Sequence, residues 1–239
     1  LRSIKRCLHD NDSFIFKNIR RKIKLTDEQK SFRMYTIGGW IKENIDFKRV
    51  VYSDEARFSL DGPDNFMTWE LENEETTILR PMRYNKGGSV MVFGAILFDG
   101  TFLIRKIDGN MTGEKYSKLL KDDIIPKVRA KYRNKFYFQQ DNARAHTCKK
   151  VKKLLNKMKV QLLIWPSHSP DLNLIENVWR LLKGEVYDGQ EFSNKQDLWI
   201  KIAKCVEEFG TKHVNFVKSM YDGVVDRYLK VYSNNGDLL

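Results

Sequence analysis

The sequence has no long hydrophobic run, few cysteines and no repeated segment. No stretch of its 239 residues approaches the roughly 18 consecutive apolar residues of a membrane-spanning helix, and its first residues lack the apolar core of a signal peptide. Its three cysteines are far apart, and none form a pair at the spacing of a zinc or redox motif. A membrane protein, an exported protein and a structural zinc domain are therefore not expected. We expect a soluble protein of a reducing intracellular compartment.

Positive charge is what the sequence has in excess. Its 43 Lys and Arg residues against 31 Asp and Glu residues give a formal net charge of +12. Such a surplus favours polyanionic partners, either nucleic acid or an acidic membrane, over the alternative of ordinary solubilising charge. With 41% hydrophobic residues, a chain of this length can build one large domain, or one domain with an appendage.

The first part of the chain is basic. A cluster of lysines and arginines at residues 17–24 has the composition of a nuclear import signal or of a phosphate contact, and by itself is weak support for either. Thr26 and Gln29 then have the spacing of a capping box, which predicts a helix that runs towards Asn44. We therefore interpret residues 1–45 as a basic lead-in segment with a linker helix.

The rest of the chain alternates between strand and helix patterns. Strands are predicted at residues 50–53, 57–60, 89–98, 101–107, 135–139 and 160–164, and helices at residues 112–131, 145–158, 173–187, 194–209 and 214–232. Asp99 and Gly100 form a strong hairpin signal, so the early strands are expected to form an antiparallel meander. Strands followed by alternating strands and helices predict an α/β fold, a mixed sheet covered by helices.

Three acidic residues lie in separate segments of this pattern. Asp54 and Asp141 each follow a short apolar strand, and Glu176 lies just inside a predicted helix. Taken singly, each has a structural explanation, because Asp is common in turns and Glu176 can cap its helix from Asn173 or pair with Arg180.

Together, the three acids are typical of a metal-dependent phosphoryl-transfer site. Mg²⁺ prefers oxygen ligands, and two such ions about 4 Å apart stabilise the attacking and leaving oxygens of an in-line displacement. Asp54 and Asp141 would share one edge of the sheet if their strands are parallel neighbours.

Several basic residues are candidates for contact with nucleic acid. The predicted helix at residues 145–158 has an apolar stripe on one face and lysines on the others, among them Lys149, Lys150 and Lys153. A solvated face and a DNA-facing surface explain these lysines equally well. His168 precedes Glu176 and can touch DNA, although loop histidines are common. His146 follows Asp141 and can assist a phosphate or a water molecule, or be a partly buried structural residue.

The sequence blocks around the acids resemble the catalytic domain of mariner-superfamily DNA transposases of the Tc branch. The resemblance begins near Leu25 and extends to the C-terminus, and the 34 residues between the second and third acids are the spacing of this branch. Four blocks carry it, in the order of that family. The first three are Ser53-Asp54-Glu55 with Phe58, Asp61-Gly62-Pro63-Asp64, and Gln139-Gln140-Asp141-Asn142 with His146. The fourth begins at Trp165-Pro166, continues with Ser169-Pro170-Asp171-Leu172-Asn173 and Ile175-Glu176-Asn177, and ends at Trp179.

The resemblance implies a ribonuclease H-like fold for residues 46–239 with a catalytic site of three acids. Asp54, Asp141 and Glu176 would hold two Mg²⁺ ions, for which Mn²⁺ is expected to substitute. The supporting residues beside them would be Asn142, His146 and Asn173. The long loop at residues 61–88 corresponds to the clamp region that contacts DNA and a partner subunit, and its candidate DNA contacts are Arg80, Arg83 and Lys86.

The implied function is cut-and-paste transposition by a homodimer that acts on paired transposon ends of double-stranded DNA in the nucleus. The resemblance also implies two helix-turn-helix modules before the catalytic domain, which we expect to be absent from this sequence unless residues 1–24 are their final remnant. Leu174 also replaces the proline that is usual before the catalytic Glu, which is expected to loosen the orientation of Glu176. A decayed or domesticated DNA-binding derivative is therefore the alternative, and an RNA-processing nuclease of the same fold is a third hypothesis.

Overall fold

A computed structural model of the protein describes residues 24–62, 88–188 and 192–239. Within these ranges five strands form one mixed sheet in the order β3-β2-β1-β4-β5. The strands are β1 (Val50–Ser59), β2 (Ser89–Ile96), β3 (Phe102–Ile107), β4 (Tyr137–Phe138) and β5 (Gln161–Leu162). The predicted clamp region falls mostly on residues 63–87, which lie outside the described residues.

The first strand differs from the sequence prediction. Residues 50–53 and 57–60 were expected to form two strands, but β1 is continuous and pairs with antiparallel β2 from Tyr52 to Ser59. Asp54 lies opposite Gly94 in this ladder, so the expectation that it ends a strand is wrong. The polar residues 53–55 interrupt the apolar pattern without interrupting the hydrogen bonds of the ladder.

The meander and the parallel half of the sheet follow the prediction. At the hairpin between β2 and β3, Gly100 has a positive φ of 87° and Asp99 Oδ1 accepts a hydrogen bond from the Thr101 amide. β1 pairs parallel with β4, and β4 pairs parallel with β5. Asp54 and Asp141 thus come from parallel neighbouring strands, which was the condition for a shared edge of the sheet.

Helices cover both faces of the sheet. They are α1 (Asp27–Lys42), α2 (Gly113–Leu119), α3 (Ile125–Tyr132), α4 (Arg144–Thr147), α5 (Lys149–Lys157), α6 (Ile175–Val186), α7 (Lys195–Lys212), α8 (Val214–Asp222) and α9 (Val224–Ser233). A π-helical turn joins α2 to α3. The helix predicted at residues 145–158 is divided because Cys148 has an extended backbone, and the one predicted at 214–232 is divided at Gly223.

The two faces of the sheet have separate cores. One core packs α1, α6, α7, α8 and α9 against the face that carries Tyr52 and Phe58. The other packs α2, α3 and α5 against the face that carries Val51 and Phe93. On the first face a side chain at Gly94 would overlap the Trp179 ring of α6, so glycine allows this helix to lie close to β1 and β2.

The predicted linker helix packs into the first core. The Thr26 capping box is present, and Ile37 and Trp40 of α1 are buried in this core. The division of the chain between residues 45 and 46 stays a prediction, although α1 is packed against the body of the fold. In the described part of the chain, no helix has the length and apolar character to cross a membrane.

Candidate active site

Asp54 and Asp141 line one cleft at the carboxyl end of the parallel strands. The cleft has a volume of about 410 Å³, and its walls also include Asn142, His168 and Asn173. Asp54 is partly buried in β1, whereas the Asp141 side chain is 49% exposed in the segment after β4. The sheet therefore brings together two carboxylates that are 87 residues apart in the sequence.

Glu176 comes to the same region from the first turn of α6. Asn173 attaches this helix to β1, because its Nδ2 donates to the Ser53 carbonyl at 3.2 Å and its Oδ1 accepts from the Ile175 amide at 3.3 Å. Leu174 has a φ of −63°, the value that proline would impose, and is 1% exposed in the core. Burial of Leu174 therefore orients the start of α6, so the expected loosening of Glu176 is offset by packing.

The carboxyls of Asp54 and Glu176 influence each other's protonation. Burial, followed by the negative charges of Glu176, Glu55 and Asp141, raises the pKa of Asp54 to about 7. Burial also raises the pKa of Glu176, against the opposing effect of Lys183. Negative charge is thus concentrated at Asp54 and Glu176, where few cations offset it. A bound metal ion would lower the free-energy cost of keeping these carboxylates ionised.

We expect Asp54→Asn to stabilise the metal-free protein in a pH-dependent way. The folded-state pKa of Asp54 is above that of an unfolded Asp, so its stabilising contribution is present at low pH and lost as pH rises to about 7. The Asn side chain does not ionise, so the variant does not lose stability in this way as the pH rises. Thermal unfolding with a chelator should show a larger gain in Tm for the variant at about pH 8 than at about pH 5.

Two observations check this expectation. The exposed control Glu43→Gln, at the end of α1, should show no comparable trend. An equal Tm difference at both pH values would mean that the charge of Asp54 does not strain the fold. Addition of Mn²⁺ at the higher pH should raise the Tm of the wild type and reduce the advantage of the variant.

His146 is buried between two acids. Its Nδ1 lies 2.5 Å from Asp141 Oδ1, and its Nε2 lies 3.0 Å from Glu55 Oε1. Burial lowers the pKa of His146, but the hydrogen bonds with Asp141 and Glu55 outweigh it and raise the pKa to about 9. Burial likewise raises the pKa of Asp141, but the bond from His146 outweighs it and lowers that pKa below its usual range. His146 is therefore a buried cation that keeps Asp141 ionised.

The loop after β4 is fixed by further hydrogen bonds. Asn142 Nδ2 donates to the Trp165 carbonyl at 2.9 Å and to Ser167 Oγ at 3.3 Å, and so ties two walls of the cleft together. The Ala143 amide donates to Asp141 Oδ1 at 3.0 Å. Asn142, His146 and Asn173 thus all contact the segments that carry the predicted catalytic acids.

The donor set of the cleft fits a hard divalent cation. Asp54 and Asp141 line the cleft, and Glu176 lies beside Asp54 in an adjacent cavity with Asp171 and Arg180. All three supply carboxylate oxygens, the ligands that Mg²⁺ and Mn²⁺ prefer. As the side chains stand, no group of three His, Cys, Asp or Glu residues among the described ranges is already arranged around one ion. Mg²⁺ usually keeps several of its waters and takes one or two carboxylates, so such a cleft can bind it without a closed protein cage.

The candidate DNA contacts lie in three places. Lys149, Lys150 and Lys153 are exposed on α5, where Lys150 pairs with Glu114 at 2.6 Å. His168 is exposed, has a positive φ of 54° and lines the cleft. The predicted contacts Arg80, Arg83 and Lys86 lie outside the described residues. The structure places His168 beside the acids and the α5 lysines on an open surface.

Sequence reasoning missed two groups of residues near the site. Glu55 and Tyr116 enclose His146, with the ring centroids of Tyr116 and His146 4.0 Å apart. Arg33 of α1 is fully buried and donates to Ser169 and Asp171 in the loop before Glu176. The sequence signal for Glu55 is its place in the Ser53-Asp54-Glu55 block, and Arg33 has none because a charged residue is expected at the surface.

The architecture and the cleft define the class of this protein: a ribonuclease H-like domain with an acidic site at its central strands. The chain superimposes with a TM-score of 0.76 on the Mos1 mariner paired-end complex with Mn, at 20% identity, over 100% of this chain and 71% of that chain. It superimposes with a TM-score of 0.67 on the Mos1 catalytic domain, at 16% identity, over 92% of this chain and 100% of that chain. These similarities show the fold.

The sequence comparisons show the family. Residues 49–199 match the family described as DDE superfamily endonuclease. The chain is 32% identical over 224 residues to the Tcb2 transposase of Caenorhabditis briggsae, covering 86% of this chain and 79% of that protein. It is 31% identical over 199 residues to the Tc3 transposase of Caenorhabditis elegans, covering 80% of this chain and 57% of that protein. The chain therefore belongs to the Tc1/mariner transposases of the DDE superfamily, and the match spans little more than half the length of the Tc3 relative.

Proposed function

We propose that this domain cleaves DNA at transposon ends and transfers the released strand to target DNA, with two divalent metal ions. The observation that supports this most directly is the cleft in which Asp54 and Asp141 meet, next to Glu176 on α6. When bound, the ions would activate a water or a 3′-hydroxyl and stabilise the leaving oxygen of an in-line displacement. The protein groups would position the ions and the DNA and neutralise charge, and they would form few covalent bonds themselves.

Each of the three acids has a structural role in this proposal. Asp54 is in the middle of a ten-residue strand, so the sheet fixes the position of its backbone. Glu176 is oriented by the start of α6, which Asn173 ties to β1. Asp141 is on the segment after β4 and is kept ionised by His146. These three attachments would keep the ligands in place while the substrate changes.

Double-stranded DNA is the proposed substrate, and the charge of the protein supports it. The net charge of +12 and the exposed lysines of α5 would attract the phosphate backbone, and His168 would contact DNA at the cleft. Solved relatives with this fold include Mos1 in a paired-end complex with the left transposon end and in a strand transfer complex. By analogy, we propose that this protein acts as a homodimer on paired ends in the nucleus.

Titration calorimetry tests the metal site of this domain directly. We expect Mn²⁺ and Mg²⁺ to bind the wild type, with tighter binding when a nonspecific DNA duplex is present at a stated salt concentration. Asp141→Asn should lose this heat while circular dichroism shows that it is still folded. No binding under either condition, together with retained DNA affinity, would favour the decayed DNA-binding derivative over the nuclease.

A further inference from the structure

A fourth carboxylate, Glu55, lies next to the three acids of the proposed site but on the other face of the sheet. Successive side chains of a strand point to opposite faces, so Asp54 and Glu55 are separated by β1 itself. Asp54 is electrostatically coupled to Glu176 of α6, on the face of the first core. Glu55 contacts His146 of α4, towards the second core. Glu55 is thus oriented away from the side of β1 that faces α6.

Glu55 is joined to Asp141 through one imidazole ring. The ring of His146 is 3% exposed, and its two nitrogens contact Glu55 Oε1 at 3.0 Å and Asp141 Oδ1 at 2.5 Å. The Glu55 side chain is 15% exposed, against 49% for Asp141. The bridge therefore extends from a nearly buried acid, through a buried ring, to the acid that faces the cleft.

The ring of His146 is fixed from other directions as well. The Tyr116 ring lies against it, with an interplanar angle of 33°. Tyr116 donates to Gln140 Oε1 at 3.0 Å, and Gln140 Nε2 donates to the His146 carbonyl at 3.2 Å. The Tyr116 ring limits how far the imidazole can tilt, and the contact of Nε2 with Glu55 holds its rotation so that Nδ1 points towards Asp141.

The contacts from Glu55 through His146 to Asp141 leave one oxygen of the Asp141 carboxylate for a ligand. Oδ1 accepts from His146 and from the Ala143 amide, so it is already occupied by two donors. In the described part of the chain both hydrogen bonds to this carboxylate go to Oδ1, which leaves Oδ2 for a ligand in the cleft. An exposed Asp without these donors would rotate freely and present either oxygen.

We propose that Glu55 is a positioning residue for the metal site, which orients the Asp141 carboxylate by holding His146 and does not itself bind the metal. This inference rests on the proposed function of the cleft. Outer hydrogen-bond partners of metal ligands contribute about 10-fold to 100-fold in metal affinity, because they fix the direction of the ligand. Glu55 is placed to have an effect of this kind on Asp141.

The test is the affinity for Mn²⁺, measured by calorimetry with a nonspecific duplex present. Glu55→Ala should weaken Mn²⁺ binding by about 10-fold to 100-fold. Glu55→Gln should restore most of this loss, because its amide oxygen can still accept from His146 Nε2. Glu43→Ala is the matched control: this exposed acid lies at the end of α1, and its loss should leave the affinity unchanged. Thermal unfolding of each variant confirms that it is folded.

A double variant separates positioning from direct ligation. If Glu55 acts through His146, then Glu55→Ala should have no further effect on Mn²⁺ affinity in a His146→Ala background. A further drop there, or a loss in Glu55→Gln as large as in Glu55→Ala, would show that Glu55 is a ligand and overturn the inference. Unchanged affinity in Glu55→Ala would overturn it while the metal site stands. Absence of Mn²⁺ binding by the wild type would overturn the proposed function and the role of Glu55 together.

Discussion

Asp54→Asn should abolish Mg²⁺-dependent DNA cleavage and leave the fold intact. The side chain keeps its size, but the metal site loses the charge of the acid in the middle of β1. Loss of one preorganised electrostatic group in an active site costs about 10²–10³-fold in rate, and loss of a metal ligand should cost at least as much. The measurement is the rate of nicking of transposon-end DNA by a version that carries the DNA-recognition modules.

Asp141→Asn and Glu176→Gln should have the same effect, since the three acids act as a unit. Glu43→Gln, which removes an exposed acid at the end of α1, serves as the control and should cleave at the wild-type rate. Circular dichroism should show that every variant is folded at the assay temperature. Cleavage retained by Asp54→Asn or Asp141→Asn would disprove the assignment of the metal-binding acids.

Arg33→Met should destabilise the protein by about 3–5 kcal/mol, because it leaves a buried partner without its counter-charge. The Arg33 side chain is 0% exposed, and Asp171 is 12% exposed. Its guanidinium donates to both oxygens of Asp171, at 2.9 Å and 2.6 Å, to Ser169 Oγ at 2.6 Å and to the Gly236 carbonyl at 2.7 Å. One side chain thus joins α1, the loop before Glu176 and the C-terminal segment. Chemical denaturation measures the change in the free energy of unfolding.

A surface ion pair provides the comparison. Lys150 and Glu114 are 2.6 Å apart, but their side chains are 58% and 80% exposed. Lys150→Met should therefore change the free energy of unfolding by no more than about 1 kcal/mol. If the two substitutions cost the same, the Arg33 site is not the buried anchor that the hydrogen bonds indicate. Asp171→Asn should give an intermediate loss, since the amide oxygen can still accept one hydrogen bond from Arg33.

Local patterns were sufficient for several features of the fold. Thr26 and Gln29 form the predicted capping box, because such a motif is completed within one helical turn. Asp99 and Gly100 form the predicted turn, because only local backbone geometry is involved. The same reasoning failed at residues 53–55, where cross-strand hydrogen bonds to β2 continue β1 through a polar segment.

By itself, the sequence determined the family, the three candidate acids and the order of strands and helices, since these depend on residue identity and short-range periodicity. Only the tertiary structure decided that Asp54 and Asp141 line one cleft, that His146 is enclosed by Glu55 and Asp141, and that Arg33 is buried. Each of these facts joins residues from separate segments of the chain. Their side chains meet through sheet pairing and the alternation of strand faces, which are properties of the assembled fold.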